Sequence, residues 1–204
     1  MFLVLDSLVG VRVFIAGSTG VIGRRVIPLL VAQRHNVSAM TRDAGDGDML
    51  AGLGAQPFVC DVYDFDLLRE IVIAARPEIV VNLLTALPDS VDELEGAVAA
   101  NARIRREGNR NLLEAAEAAG AKRVLAESVA WRLEGDAGAA VEELERAVLD
   151  AGGVVLRYGQ LYGPGTYHEH ERPDPPRVQI DEAARQTVEA LHEPSGVIEI
   201  VDTP

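Results

Sequence analysis

Residues 11–30, VRVFIAGSTGVIGRRVIPLL, hold the pattern that decides the fold. An apolar run rich in β-branched residues is followed by Gly17, Gly20 and Gly23, and apolar residues then recur at helical spacing. This order predicts a strand, a tight glycine turn and a helix. In such a unit the first glycine permits the turn, the second admits a diphosphate to the backbone, and the third lets the helix pack on the sheet. Because a helix N-terminus offers free N–H groups and a positive dipole end, the pattern predicts a nucleotide-binding loop. The alternative is a purely structural turn.

The glycine spacing is G-x-x-G-x-x-G, and its surroundings, AGSTGVIGRRV, resemble those of the short-chain dehydrogenase/reductase superfamily. The resemblance is greatest to the extended and atypical branch, the NAD-dependent epimerase/dehydratase family. It implies an α/β fold with a doubly wound (Rossmann-like), mostly parallel sheet of about seven strands and a minimal C-terminal substrate lobe. The loop residues expected to contact the cofactor are Gly17, Ser18, Thr19, Gly20, Val21, Ile22, Gly23 and Arg24.

Length, composition and charge set the class of protein. The chain has 204 residues, of which 48% are hydrophobic and 25% charged, so we predict a single NAD(P)-binding domain over residues 1–204. Residues 1–10 are expected to form an N-terminal extension, and residues 158–204 a small substrate-side lobe. The net charge of −13 argues against nucleic acid and against anionic membrane surfaces. No run is apolar enough to span a membrane.

The single cysteine, Cys60, cannot form an internal disulfide, which favours a reducing, cytoplasmic location. It lies in an apolar strand pattern, PFVCDV. We therefore expect a buried small residue and not a nucleophile.

The end of the second predicted strand, Asn36–Thr41, bears on the choice of cofactor, because this strand points at the adenosine ribose. An acidic residue there would favour NAD, whereas this chain has Thr41 and Arg42. A guanidinium suits a 2′-phosphate, and Arg24 could add a second charge. We therefore predict that NADP(H) is preferred over NAD(H). The alternative is that Arg42 is an exposed arginine beside Asp43.

Further segments resemble the parts of the family that contact the cofactor. A third strand, residues 56–61, ends where the family has an Asp that binds the adenine amino group, although Asp61 also fits as the cap of a helix over residues 65–75. A fourth strand, residues 77–84, is followed by a loop that in the family lies along the cofactor. Residues 157–165 resemble the family's segment that ends in Tyr-Gly-Pro and flanks the nicotinamide. The residues expected to contact the cofactor here are Asp61, Val62, Leu84, Thr85, Ala86, Tyr158 and Gly159.

The family's reaction normally uses a Tyr followed four residues later by a Lys, on the helix after the fifth strand. That spacing puts both on one helix face, where the Lys lowers the pKa of the Tyr so that the phenol exchanges a proton with the substrate. The corresponding helix here, residues 137–151, has neither residue, and the two positions fall near Ala137 and Val141. Lys122 is the chain's one lysine, and none of the four tyrosines has a Lys four residues on. The usual proton-transfer pair is therefore absent.

Other side chains are candidates for the reaction. The residues predicted to take part are Ser128, Tyr162, Tyr167 and His168. Ser128 ends the fifth predicted strand, where the family has a Ser or Thr that holds the substrate oxygen. Either tyrosine or the histidine could replace the missing proton donor. The alternative for residues 166–177 is a solvated loop, and a metal site at His168 and His170 has no further ligand to complete it. No metal is predicted.

A long helical pattern covers residues 91–119 and ends at Gly120 as its C-cap. Its second half resembles the family's fourth helix, where the usual Asn falls at Arg105, and Asn101, one turn earlier, could substitute for it. This helix and the helix over residues 137–151 are surfaces on which such folds pair. The expected partners are thus a small-molecule substrate and a second copy of the chain in a homodimer.

Three functions remain open from the sequence. The first is an NADP(H)-dependent oxidoreductase or epimerase acting on a small carbonyl, alcohol or sugar-like substrate. The second, motivated by the missing Tyr and Lys, is an NADP(H)-binding sensor or regulatory protein. The third is a cofactor-independent biosynthetic dehydratase, isomerase or cyclase. The family resemblance favours the first, although function lives in the site and not in the fold.

Overall fold

A seven-stranded parallel sheet is the centre of the computed structural model, which describes residues 10–88 and 90–202. The strands are β1 (Arg12–Ala16), β2 (Asn36–Thr41), β3 (Gln56–Val59), β4 (Ile79–Asn82), β5 (Arg123–Val129), β6 (Val154–Tyr158), β7 (Gln160–Tyr162), β8 (Arg177–Gln179) and β9 (Gly196–Ile200). Their order in the main sheet is β3-β2-β1-β4-β5-β6-β9, while β7 and β8 pair separately. The predicted doubly wound α/β fold is confirmed.

Helices cover both faces of the sheet. They are α1 (Gly23–Ala32), α2 (Gly47–Gly52), α3 (Phe65–Ala75), α4 (Leu94–Arg103), α5 (Asn109–Ala118), α6 (Gly135–Asp150) and α7 (Ile180–Glu189). One core cluster lies between the sheet and α1 and α7, and a second lies between the sheet and α3 and α5. All four residues of β4 are buried, as expected for a central parallel strand that is covered on both sides.

Several boundaries differ from the sequence-based expectations. The third strand ends at Val59 and the fourth covers only Ile79–Asn82. The cap of α3 is Asp64, whose side chain accepts from the N–H of Leu67, so Asp61 is not the cap. The expectation for residues 1–10 falls almost wholly outside the described residues.

The long helix predicted over residues 91–119 is interrupted. A π-helical turn, Ile104–Gly108, separates α4 from α5. A Cβ on Gly108 would lie 3.2 Å from the Val62 side chain, so the glycine brings this turn close to the end of β3. Ala119 stands at the cap position of α5, and Gly120 follows it with a φ of +73°. Because π turns often occur at functional sites, the turn draws attention to its buried side chains.

Candidate functional site

The strand order of the sheet reverses between the neighbouring strands β1 and β4, and this topological switch point marks the expected binding cleft. From β1 the sheet grows outward through β2 and β3, and then on the other side through β4, β5 and β6. In open α/β sheets, ligands bind beyond the carboxyl ends of the strands at such a switch point. The glycine loop leaves β1 at this point.

Two glycines of the loop are required by the protein's own packing. Gly17 has a φ of +84°, and a Cβ there would overlap the carbonyl oxygen of Leu83. A Cβ on Gly23 would overlap the carbonyl oxygen of Gly17 and lie 2.8 Å from that of Ser18. These contacts hold the loop against the end of β4 and α1 against the loop.

Gly20 is different, because its packing alone does not demand a glycine. It is exposed, has no positive φ, and an added Cβ would meet only the carbonyl oxygen of Gly17, at 3.3 Å. Beside it, α1 begins at Gly23 with Ile22 at the cap position and no side chain bonded to its first N–H groups. An uncapped helix start next to an open glycine is a cradle that fits a phosphate group.

The other residues of the glycine loop differ in their contacts and exposure. Ser18 is buried and donates to the carbonyl oxygen of Ile15 at 2.8 Å, so its side chain faces the protein. Arg24 is exposed, and its Nε donates to the carbonyl oxygen of Thr19 at 2.7 Å. Val21 is partly exposed and Ile22 is buried.

Asparagines hold the loop that follows β4. The Asn82 side chain accepts from the N–H of Leu84 at 3.1 Å and donates to Asn109 at 3.0 Å. Asn101 accepts from the N–H of Ala86 at 3.0 Å. The side chains of residues 84–86 are partly exposed along the cleft. These buried amides were not singled out by the sequence, apart from Asn101.

Exposed charged side chains lie at the end of the cleft where the adenosine of the cofactor is expected. Arg42 is exposed, and no hydrogen bond or salt bridge to its side chain occurs within the described residues. Asp61 is exposed and accepts from the N–H of Tyr63 at 2.9 Å. Val62 is buried, and the guanidinium of Arg103 lies 3.9 Å from the centre of the Tyr63 ring. Burial raises the pKa of Tyr63, and the positive charges of Arg103 and Arg42 oppose that rise, so Arg42 lies near this group.

Arg25, which the sequence did not single out, joins α1 to the substrate-side segment. Its guanidinium donates to Asp181 at 2.8 Å and to the carbonyl oxygens of Pro164 and Val21 at 2.6 and 2.9 Å. Asp181 belongs to the first turn of α7. The residue therefore fixes one wall of the cleft to the other.

Ser128 is bonded to a carboxylate of α6. It is buried, and its hydroxyl donates to Glu145 of α6 at 2.5 Å, while Arg157 binds both oxygens of the same carboxylate at 2.8 and 2.6 Å. Side chains alternate along a strand, so Glu127 and Val129 point to the opposite face. To donate to a substrate oxygen, the Ser128 hydroxyl would have to leave this carboxylate, although it could accept from a substrate hydroxyl in place.

The tyrosines proposed as proton donors are engaged elsewhere. Tyr162 is buried and donates to Asp202 at 2.9 Å, and burial and this contact raise its pKa. Tyr167 is exposed and donates to the carbonyl oxygen of Pro88. His168 is partly exposed, and its N–H donates to Thr166 at 3.2 Å. An isolated β-bridge pairs Tyr162 with His168, but the hydroxyl groups of Tyr162 and Tyr167 bind two different acceptors.

Two charged residues lie near the end of β5: Glu127, which the sequence reasoning missed, and Arg105, which it named only as replacing the family's Asn. Glu127 is partly exposed on β5, and Arg105 is buried in the π turn, with 7% of its surface exposed. Burial raises the pKa of Glu127 to about 7, and attraction by Arg105 opposes the rise. Next to them, Tyr158 is buried and bonded to Thr187 at 2.6 Å, and a Cβ on Gly159 would lie 2.6 Å from the N atom of Arg177. A glutamate directly after the apolar residues 124–126 of this strand was the signal that could have drawn attention to the pair.

The helix that carries Tyr and Lys in the family is α6, and both corresponding positions are partly exposed. Ala137 and Val141 lie four residues apart on it.

Across residues 10–88 and 90–202, no group of three or more His, Cys, Asp or Glu could hold a metal ion. Nor is any helix in that part of the chain long and apolar enough to cross a bilayer. Cys60 is buried, as expected.

The parallel sheet, the switch point and the glycine cradle define a nucleotide-binding protein of the doubly wound class. The sequence profile of the NAD dependent epimerase/dehydratase family matches residues 13–131, more than half of the chain. The chain belongs to this family.

Known relatives agree with this assignment. The chain is 44% identical over 179 residues to a 3-diazoavenalumate denitrifying reductase from a Streptomyces species, covering 76% of this chain and 58% of the relative. The chain thus spans somewhat more than half of that protein's length.

Solved structures show the same fold. The UDP-glucose 4-epimerase of Thermus thermophilus, in complex with NAD, has a TM-score of 0.77 at 19% identity, covering 95% of this chain and 78% of that one. The Bordetella bronchiseptica enzyme WbmG, in complex with NAD and UDP, has a TM-score of 0.74 at 20% identity, covering 98% and 75%.

Proposed function

We propose that this protein is an NADP(H)-dependent reductase that transfers hydride to a small electrophilic substrate. The observation that carries the proposal is the open cradle at Gly20 beside the uncapped start of α1. The relative that is named as a reductase supports the redox step. The buried Cys60 further motivates a cytoplasmic location.

In this proposal each part of the cleft has a distinct task. The backbone of residues 17–23 holds the diphosphate, and Arg42 with Arg24 holds a 2′-phosphate. Asp61 and Val62 contact the adenine. The contacts along the rest of the cofactor come from Leu84, Thr85, Ala86, Tyr158 and Gly159. When bound, the cofactor supplies the hydride.

The absent Tyr and Lys favour a substrate that needs no proton from the protein. The relative's name describes a reductase that removes nitrogen from a diazo compound. On an aryl diazonium carbon, the hydride forms the new C–H bond, the C–N bond breaks, and its electron pair leaves with N₂. No side chain gives or takes a proton in that balance. We therefore propose electrophiles of this kind as substrates, ahead of ordinary ketones, which need a proton on oxygen.

Mixing the protein and NADPH with an aryl diazonium salt, and separately with a ketone, tests the reductase. We expect the protein to accelerate the loss of NADPH absorbance and the appearance of the arene with the diazonium salt. Heat-denatured protein with the same reagents measures the uncatalysed background. Nucleotide binding without acceleration for any substrate would instead support a sensor or regulatory protein, the second candidate, which the missing Tyr and Lys favour.

The preference for NADP(H) is expected to depend on Arg42. Because this guanidinium is exposed and unpaired among the described residues, Arg42→Ala should weaken NADPH binding about thirtyfold, equal to about 2 kcal/mol for a lost charge-assisted contact. NADH lacks the 2′-phosphate, so its affinity should change little. Calorimetric titration with both nucleotides measures the difference. Arg34→Ala, at an exposed arginine in the turn after α1, is the control. Equal losses for NADPH and NADH would contradict the assignment.

A further inference from the structure

Glu127 and Arg105 are two charged residues that the proposed reaction leaves without a task. In the family resemblance an Asn is usual where this chain has Arg105. Here a guanidinium lies buried in the π turn, close enough to Glu127 to oppose the rise of its pKa. Burying two charged side chains costs free energy of desolvation unless hydrogen bonds, an ion pair or a bound ligand compensate for it.

Strand register places Glu127 at the cleft. Ala16 of β1 is paired with Asn82 of β4, and Asn82 with Ala126 of β5. The next residue on each strand is thus Gly17, Leu83 and Glu127. Since neighbouring strands lie about 4.8 Å apart, Glu127 stands about 10 Å from the glycine loop, along the carboxyl edge of the sheet. That is the direction in which the cleft runs from the diphosphate cradle toward Tyr158.

The pair is not satisfied by the protein itself. Among residues 10–88 and 90–202, no hydrogen bond or direct salt bridge is formed by either side chain, and their attraction acts across a gap. By contrast, the other buried charge near the end of β5, Glu145, binds Arg157 and Ser128 directly. The guanidinium of Arg105 and the carboxyl of Glu127 therefore remain available to a ligand.

We propose that Glu127 makes the cleft prefer the positively charged, oxidised nicotinamide over the neutral, reduced ring. The inference rests on the proposed function, because it requires that the nicotinamide end lies beyond β4 and β5. A carboxylate near the ring stabilises the charge that hydride transfer leaves behind and so makes the reduced cofactor a better donor. It also favours a cationic electrophile.

The titration of Glu127 supports this role. Because burial raises its pKa to about 7, the carboxyl is partly protonated near neutral pH. The groups that face it are Arg105 from the π turn and the phenol of Tyr158 from β6. The charged residues of α7 are occupied by ion pairs with one another or with Arg25. A positive ring nearby lowers the pKa of Glu127, so binding of NADP⁺ near pH 7 should release a proton, whereas NADPH should not.

Calorimetric titration of the full chain with NADP⁺ and with NADPH, in buffers of different ionisation enthalpy between about pH 6 and pH 8, tests the proposal. For the wild-type protein we expect release of about half a proton more with NADP⁺ than with NADPH at pH 7. Both nucleotides carry the same 2′-phosphate, so its titration cancels. In Glu127→Gln the difference should vanish, and NADP⁺ should weaken about tenfold relative to NADPH.

Further variants separate charge from structure. Glu127→Asp keeps the carboxylate and should keep the proton release, whereas Glu114→Gln, at an exposed position of α5, should behave as the wild type. Arg105→Gln should raise the pH at which the release is greatest, an effect that a merely structural role would not produce.

The outcomes also distinguish the two proposals. If the wild type and Glu127→Gln bind both nucleotides with the same ratio of affinities and the same proton release, the role of Glu127 is overturned while the nucleotide site stands. If the folded wild type binds neither nucleotide, the proposed function falls, and the role of Glu127 falls with it.

Discussion

Gly20→Ala should abolish tight nucleotide binding while leaving the protein folded. The added Cβ meets only one neighbour, the carbonyl oxygen of Gly17 at 3.3 Å, and the backbone there has no positive φ. The methyl group would instead project into the open space beside the start of α1, where a diphosphate must approach the backbone. We expect NADPH affinity to fall about a hundredfold, which corresponds to about 2.7 kcal/mol, with a loss of stability below about 1 kcal/mol. Calorimetry and thermal unfolding measure the two effects separately.

Gly17→Ala provides the contrast within the same loop. The φ of +84° and the overlap with the Leu83 carbonyl oxygen act on the protein itself, so this variant should lose about 3 kcal/mol of folding free energy. Gly96→Ala, in α4 with nothing near its added Cβ, is the control for a change of glycine alone. If Gly20→Ala keeps wild-type affinity, the loop is a structural turn and does not hold a diphosphate.

Glu145→Ala should destabilise the protein by about 2 kcal/mol. The change leaves the Arg157 guanidinium and the Ser128 hydroxyl without their shared acceptor. Truncating one partner of a fully buried pair costs about 3–5 kcal/mol, but the Arg157 side chain is 37% exposed and water replaces part of the loss. Glu142→Ala, at an exposed position of the same helix, should change stability by less than about 0.5 kcal/mol. Denaturant unfolding gives both values.

The same carboxylate makes stability depend on pH. Although burial raises the pKa of Glu145, the bonds from Arg157 and Ser128 outweigh it and hold the pKa below its usual value. A lowered pKa in the folded state means that the contribution is present above the unfolded value of about 4.3 and is lost as the pH falls through the folded value. Acid unfolding of Glu145→Gln should therefore depend less steeply on pH below about 4.5. An unchanged slope would show that other carboxyl groups govern acid unfolding.

Local sequence determined most of the architecture. The glycine spacing after an apolar strand predicted the turn. The contacts that require Gly23 are local, with Gly17 and Ser18, whereas the contact that requires Gly17 is with Leu83 after the neighbouring strand. The strand over residues 36–41 and the helix over residues 65–75 were predicted with their observed bounds, since hydrophobic periodicity is strong there. The absence of a Tyr and Lys pair also follows from the sequence alone, because the chain has one lysine.

The orientation of side chains was decided by the tertiary structure. The sequence placed Ser128 near the end of a strand but did not reveal on which face of the sheet it lies. In the structure Ser128 is paired with Arg157 of β6 and bonded to Glu145, so Glu127 points to the opposite face. The π turn that buries Arg105 likewise packs, at Gly108, against Val62, which is 46 residues earlier in the chain. Hydrophobic periodicity predicts each helix or strand by itself, whereas a binding site is formed by side chains from several helices and strands. The fold and the glycine loop were therefore predictable from local patterns, whereas the proximity of Arg105 and Glu127 arises from long-range contacts.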